Sequence, residues 1–147
     1  MAIEHLYDVK VSWLSDRKGS MSSSELTQAI EVATPPEFPK GIPNVWSPEH
    51  LLIAAANSCL MTTFLAIAGN FKLNFVSFES NGIGKLEMVE NKYMISEITL
   101  KPTLVIDIST EKEKAEKVLQ KAEAACLISN SIKSKIIFEP IVICNQN

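Results

Sequence analysis

Two of the three cysteines stand beside predicted helices and are the residues best suited to chemistry. Cys59 lies inside a long apolar segment, and Cys126 lies at the end of a later helical segment, 67 residues further along the chain. Free cysteine is most often a small buried hydrophobic residue, and that interpretation stays open for both. Thiol chemistry is the alternative, because Asn57-Ser58-Cys59 places polar atoms where packing alone would favour alanine or leucine.

Other common kinds of site lack their characteristic residues in this sequence. The two histidines, His5 and His50, have no second ligand at a workable spacing, so no metal site with the cysteines is expected. No C-x-x-C pair, glycine-rich phosphate loop, Ser-His-Asp set or dinucleotide fingerprint is present. Cys144, on the last predicted strand, is most simply a core or surface residue. We therefore expect no metal site.

Charge and composition narrow the expected partners and compartment. A net charge of −3 and a pI near 5.4, without a basic run, argue against nucleic acid or an anionic membrane as a partner. Segment 1–13 alternates polar and apolar residues, unlike a signal peptide. The three cysteines are an odd number and do not indicate a framework of structural disulfides. We expect a cytoplasmic protein with one domain, 1–147, and no room for a second.

The element that must position Cys59 is a predicted helix from Pro48 to Ala68. Ser47 can cap its first amides, proline suits the first helical position, and Gly69-Asn70 ends it. The helix is apolar on every side, so protein or lipid must enclose it. A chain of this length cannot easily hide it alone, which indicates a dimer. Four polar side chains inside it favour enclosure by protein: Asn57, Ser58, Thr62 and Thr63.

The remaining pattern predicts an α+β fold. Alternating or β-branched runs predict strands at 3–14, 24–33, 73–89, 93–108 and 135–144. We expect turns at 15–19 and 90–92, and we expect Pro102 to mark an edge strand or a bulge. A capping box at 110–113 predicts the start of a second helix that runs to Ala125.

The two cysteines stand in segments with a recognisable pattern. Segment 47–59 reads S-P-E-H-L-L-I-A-A-A-N-S-C, and segment 126–131 reads C-L-I-S-N-S. They resemble N/S-P-E-x-L-L-x-A-A-x-x-x-C and C-P-x-S-N-x of the OsmC/Ohr family, the osmotically inducible and organic hydroperoxide resistance proteins. Leu127 stands where that family usually has proline. The resemblance implies antiparallel sheets wrapped around a long central helix, in an intertwined homodimer.

The resemblance also implies a thiol peroxidase that reduces organic hydroperoxides or hydrogen peroxide. Cys59 would attack the O–O bond as a thiolate and become a sulfenic acid, which Cys126 would convert to a disulfide. An external dithiol must then reduce the disulfide, and no other cofactor is implied. The rival interpretation is a non-catalytic member of the family that binds an apolar small molecule in an interface pocket.

Such a mechanism needs Cys59 as a thiolate near neutral pH, although an ordinary thiol has a pKa of about 8.5 and burial raises it. Cys59 lies beyond the reach of its helix dipole, so we expect a cation to help. In the family pattern an arginine of the first β-turn contacts the cysteine and the motif glutamate holds it, which points to Arg17 and Glu49. Because Glu49 and Cys59 are about 15 Å apart along one helix, these groups would meet partly across a two-fold axis. Without the resemblance, Arg17 reads as a solvated turn residue and Glu49 as a helix-start carboxylate.

Overall fold

The computed structural model describes residues 3–145 and has the α+β organisation that the sequence predicts. Its elements fall into two units, the first ending at Leu51 and the second beginning at Leu52. Helix α1 (Pro48–Asn70) runs through this division. Its first turn therefore belongs to one unit and the remainder to the other.

The first unit contains a three-stranded antiparallel sheet. Its strands, in the order in which they pair, are β1 (Lys10–Ser15), β2 (Lys18–Ser22) and β3 (Ile30–Ala33). The sequence pattern predicts only two strands here and a turn at 15–19, so β2 is absent from the prediction. The chain reverses within Asp16 and Arg17, because Asp16 adopts a positive φ of 47°. Strand β2 contains a glycine and two serines, which are weak strand formers, and it therefore gives no clear alternating signal.

Helix α1 begins as predicted and extends two residues further. The Ser47 hydroxyl accepts the backbone N–H of His50 at 3.1 Å, which confirms Ser47 as the N-cap. By length and composition α1 could also cross a membrane, since an 18-residue stretch within it has a mean hydropathy of 1.9. Of that stretch, 28% is buried. One stripe of α1 is buried: Ala56, Leu60, Phe64 and Ala68. Apolar Met61 and Leu65 of the same helix are exposed.

The second unit contains a mixed sheet centred on one long strand. Its strands are β4 (Ser77–Val89), β5 (Lys92–Ile106), β6 (Lys135–Phe138) and β7 (Ile141–Cys144). β4 and β5 form the predicted antiparallel hairpin, and Glu90 and Asn91 both adopt positive φ at its turn. β6 and β7 instead run parallel to β5. Parallel pairing follows from the helical crossover that returns the chain to this sheet.

Pro102 lies within β5, and the prediction of an edge strand or bulge there is wrong. β5 pairs with β4 on one side and with β6 and β7 on the other, and its register with β4 continues through Pro102. On the other side, the break between β6 and β7 at Glu139 and Pro140 falls opposite Pro102. Neither proline has an N–H to donate, so both occupy the point where pairing along this edge is interrupted.

The crossover consists of α2 (Lys112–Ala125) and the short helix α3 (Leu127–Asn130). The predicted capping box is wrong, because Thr110 lies inside a 3-10 turn (Ser109–Glu111) and Glu111, the N-cap of α2, makes no side-chain capping bond. α2 buries an apolar stripe of Ala115, Val118, Leu119 and Ala122. Cys126 joins α2 to α3 in an extended conformation.

Two hydrogen bonds fix α1 against β4. The Asn57 amide donates to the Ser80 carbonyl at 2.8 Å, and the Ser80 hydroxyl donates to the Asn57 side-chain oxygen at 2.6 Å. Nearby, a Cβ at Gly84 would collide with the Ile53 side chain, so glycine permits the close approach of helix and sheet. The contacts of Asn57, two residues before Cys59, set the position of α1 along β4.

We expect Asn57→Ala to lower the free energy of unfolding by about 2 kcal/mol, because it leaves two half-buried groups of Ser80 without their partner. The measurement is urea unfolding at equilibrium. Ser58→Ala is the matched control, since Ser58 is exposed and its hydroxyl donates only to the Ala55 carbonyl of its own helix. Its change should stay within about 0.5 kcal/mol. An equally small effect of Asn57→Ala would contradict the assigned role.

Candidate active site

The structure brings together the two cysteines that the sequence analysis selects. Cys59 is half-buried on α1, and its sulfur lies 3.8 Å from the Thr63 hydroxyl one turn later. Cys126 is 1% exposed, and its sulfur lies 3.8 Å from the carbonyl of Ala56, which belongs to α1 like Cys59. Cys59 follows Ala56 by three residues, about one turn of α1, so both thiols lie beside the same stretch of this helix, and each shifts the pKa of the other. The fold therefore places the two sulfurs in one region of the second unit.

The surroundings of Cys59 favour its thiolate. Burial raises the pKa of Cys59, but hydrogen bonds from the Ile128 N–H, the Cys126 thiol, the Thr63 hydroxyl and the Leu127 N–H outweigh burial and lower it below the ordinary value. Leu127 and Ile128 open α3, where backbone N–H groups have no partner within the helix. All four donors are neutral, whereas the sequence analysis expects a cation.

The surroundings of Cys126 have the opposite net effect. Burial raises the pKa of Cys126, and the neighbouring Cys59 raises it further, while the hydroxyl and N–H of Ser129 partly oppose the increase. The Ser129 hydroxyl donates to the Cys126 sulfur at 3.3 Å. The pair thus consists of a more acidic, half-exposed thiol and a less acidic, buried one. This division suits a first attack by Cys59 and a later one by Cys126.

Arg17 and Glu49 belong to the first unit, whereas both cysteines belong to the second. Arg17 is exposed in the turn between β1 and β2, and within residues 3–145 it forms no ion pair. Glu49 lies in the first turn of α1, and one of its carboxylate oxygens is buried without a hydrogen-bond partner among the described residues. No Arg17–Glu49 pair forms within the single chain, so the roles of both residues stay predictions.

The donors that surround the two sulfurs are not predictable from residue type. Helix α3 has only four residues and therefore no periodicity, and Leu127 stands out in the sequence only as a departure from proline. The one available signal is Ser129, three positions after Cys126 in the second motif. Across residues 3–145, no group of three or more His, Cys, Asp or Glu side chains is placed to hold a metal ion.

A family model described as OsmC-like protein matches residues 41–140, a span that includes both cysteines. The chain belongs to the OsmC-like family. Residues 41–140 also include Glu49 and the whole of α1, whereas Arg17 lies outside the match. The family assignment therefore supports comparison of the cysteine site more directly than comparison of the arginine.

Relatives of this OsmC-like protein extend the match along nearly the whole chain. The uncharacterized protein YmaD of Bacillus subtilis is 24% identical over 141 residues, which are 92% of this chain and 91% of the relative. A solved OsmC-like protein of unknown function from Vibrio cholerae has a TM-score of 0.84 at 22% identity, and covers 94% of this chain and 100% of its own. An organic hydroperoxide resistance protein from Elizabethkingia anophelis has a TM-score of 0.75 at 19% identity, and the match covers 99% of this chain and 100% of the relative. These similarities confirm the expected α+β fold of the OsmC/Ohr type.

We expect Leu127→Pro to raise the pKa of Cys59, because it removes one N–H that stabilises the thiolate. Proline suits the first position of α3, and Cys126 already has a ψ of 107°, which is compatible with a following proline. Leu127→Ala is the matched control: it keeps the N–H and removes a side chain that is 65% exposed. The measurement is the pH dependence of Cys59 alkylation in a Cys126→Ser/Cys144→Ser background. The same pKa in the proline and alanine variants would contradict the assignment of this donor.

Proposed function

We propose that this OsmC-like protein is a cysteine-based peroxidase that reduces organic hydroperoxides or hydrogen peroxide. The observation that carries the proposal is the placement of Cys59 and Cys126 beside the same stretch of α1, where the more accessible thiol has the lowered pKa. A purely structural pair of buried cysteines would have no need for several donors directed at one sulfur. The proposal also agrees with a fold shared with an organic hydroperoxide resistance protein.

In the first step the Cys59 thiolate attacks the terminal oxygen of the hydroperoxide. An S–O bond forms while the O–O bond breaks, and the departing alkoxide takes a proton from water to become an alcohol; with hydrogen peroxide, the departing hydroxide becomes water in the same way. Cys59 is left as a sulfenic acid. The N–H groups of Leu127 and Ile128 serve this step by raising the fraction of thiolate.

In the second step Cys126 attacks the Cys59 sulfenic acid and forms a disulfide. We infer that an external dithiol then reduces this disulfide and returns both thiols, as thiol–disulfide exchange requires. Such a cycle suits the cytoplasm, where reducing thiols are available. It needs no metal or organic cofactor.

We further propose that the protein acts as a homodimer. Apolar side chains are exposed on both units, which is costly unless a second copy covers them; they include Val11, Trp13, Leu14, Met61 and Leu65. The buried, unpartnered oxygen of Glu49 also calls for a donor. In a dimer, Arg17 would hold Glu49 and direct another N–H at Cys59, at least partly across the two-fold axis.

Substitution of each cysteine tests the proposed cycle. We expect Cys59→Ser to abolish peroxide consumption with excess dithiothreitol, because no other thiol replaces the activated nucleophile. Cys126→Ser should leave Cys59 as a sulfenic or over-oxidised acid, detected by mass spectrometry. Cys144→Ser is the control and should change little. Normal turnover by Cys59→Ser would refute the assignment, and no turnover by the unsubstituted protein would favour the non-catalytic binder of apolar molecules.

Replacing Arg17 by lysine tests whether the charge of this side chain is sufficient or whether the planar geometry of the guanidinium is also needed. A guanidinium can hold Glu49 through two hydrogen bonds and still direct an N–H at sulfur, whereas an ammonium cannot fix both. We expect Arg17→Lys to lose most activity and Arg17→Ala also to raise the Cys59 pKa, while Glu49→Gln, which keeps one acceptor, should be milder. Peroxide consumption and the pH dependence of alkylation measure these effects.

Sedimentation of each variant at micromolar protein concentration is the control for subunit assembly. An unsubstituted protein that sediments as a monomer would remove the arrangement across a two-fold axis. If Arg17→Ala leaves the alkylation pKa of Cys59 unchanged in an intact dimer, the neutral donors of α3 suffice and the proposed role of Arg17 must be withdrawn.

A further inference from the structure

We propose that Ser129 is a further residue of the reaction: its hydroxyl donates to the Cys126 sulfur and keeps this buried thiol reactive toward the Cys59 sulfenic acid. The proposal rests on the peroxidase function proposed above. The contact is direct, with 3.3 Å between the Ser129 oxygen and the Cys126 sulfur. It concerns the second step of the cycle and leaves the first step to Cys59 and its own donors.

Cys126 needs such a donor because its other surroundings favour the unreactive, protonated thiol. The side chain is almost fully buried, and its sulfur lies 3.8 Å from the Ala56 carbonyl, to which its single S–H can donate when it is not directed at Cys59. Only the protonated form can donate to either group. The Ser129 hydroxyl and N–H act in the opposite direction, since both can donate to a thiolate. Cys59 on α1 is the titratable group that faces Cys126, and α3 itself carries none.

The position of Ser129 in α3 explains how it reaches the sulfur. Cys126 is the N-cap of α3, so Ser129 is the third helical residue, the position from which a side chain can reach back to the cap. Ser131 follows at the end of α3, but its hydroxyl donates to the Leu127 carbonyl at 2.7 Å. The two serines therefore lie in the same short segment and have different partners, which makes Ser131 a matched control.

The step that Ser129 assists is a balanced substitution at sulfur. An electron pair on the Cys126 sulfur forms the S–S bond to Cys59 while the S–O bond of the sulfenic acid breaks. The hydroxide that leaves takes the proton released by the Cys126 thiol and departs as water. A larger thiolate fraction at Cys126 speeds this step and shortens the time in which a second peroxide can over-oxidise Cys59.

The first experiment compares Ser129→Ala, Ser129→Thr and Ser131→Ala after addition of excess cumene hydroperoxide without reductant. We expect disulfide formation to slow about fivefold in Ser129→Ala, the effect of losing one hydrogen bond, and more Cys59 to reach the sulfinic acid. Ser129→Thr, which keeps a hydroxyl, should restore much of the rate, and Ser131→Ala should match the unsubstituted protein. The rate of Cys59 oxidation should stay unchanged, which separates a role at Cys126 from general damage to the fold. Equal disulfide rates in Ser129→Ala and Ser131→Ala would overturn the proposal.

The second experiment does not depend on peroxidase activity. In a Cys59→Ala/Cys144→Ala background, the ultraviolet absorbance of the thiolate follows the titration of Cys126 alone. We expect Ser129→Ala to raise the pKa of Cys126 and Ser131→Ala to leave it unchanged. If the unsubstituted protein forms no disulfide, the peroxidase proposal fails, while this titration still decides whether Ser129 acts on Cys126. An unchanged titration in Ser129→Ala would refute the inference.

Discussion

The packing of α1 against the β4–β5 hairpin is the constraint on which the candidate active site depends. A stripe of small and apolar residues on α1 enters the core, and the paired hydrogen bonds between Asn57 and Ser80 prevent the helix from sliding along the sheet. This register sets the position of Cys59. The crossover through α2 then returns the chain beside the same helix, where Cys126 contacts the Ala56 carbonyl. Two cysteines that are distant in sequence come close together because Cys59 belongs to α1 and Cys126 is held against the same helix.

The short helix α3 gives the two neighbouring sulfurs different properties. Its first backbone N–H groups, at Leu127 and Ile128, favour the thiolate of Cys59, while Ser129 partly offsets the effect of burial on Cys126. Neutral donors can therefore activate a thiol without a charged group inside the same unit. An arginine contributed in a dimer would add to this effect. In addition, the apolar face that α1 leaves exposed gives the proposed dimer a physical cause independent of catalysis.

Local signals allowed the sequence to predict part of this account. The Ser47 cap, the extent of α1 and the tight turn at Glu90 and Asn91 each follow from a few adjacent residues. Strand β2 and the environment of Pro102 could not be predicted, because they depend on which strands pair. The resemblance implied a Cys59–Cys126 reaction, but the donors around the sulfurs are largely backbone groups that leave no mark on residue type. The Leu127 N–H can be recognised as a donor to Cys59 only once the position of α3 is known.

The most direct test of the central claim is the intact mass of the protein after one equivalent of cumene hydroperoxide, followed by peptide mapping. We expect a mass about 2 Da lower than that of the reduced protein, with Cys59 linked to Cys126 and Cys144 free. The contradictory result is an unchanged mass, or a lasting gain of about 16 Da at Cys59 with no disulfide to Cys126. Either outcome would mean that the placement of these two cysteines beside the same stretch of α1 does not support a peroxidase cycle.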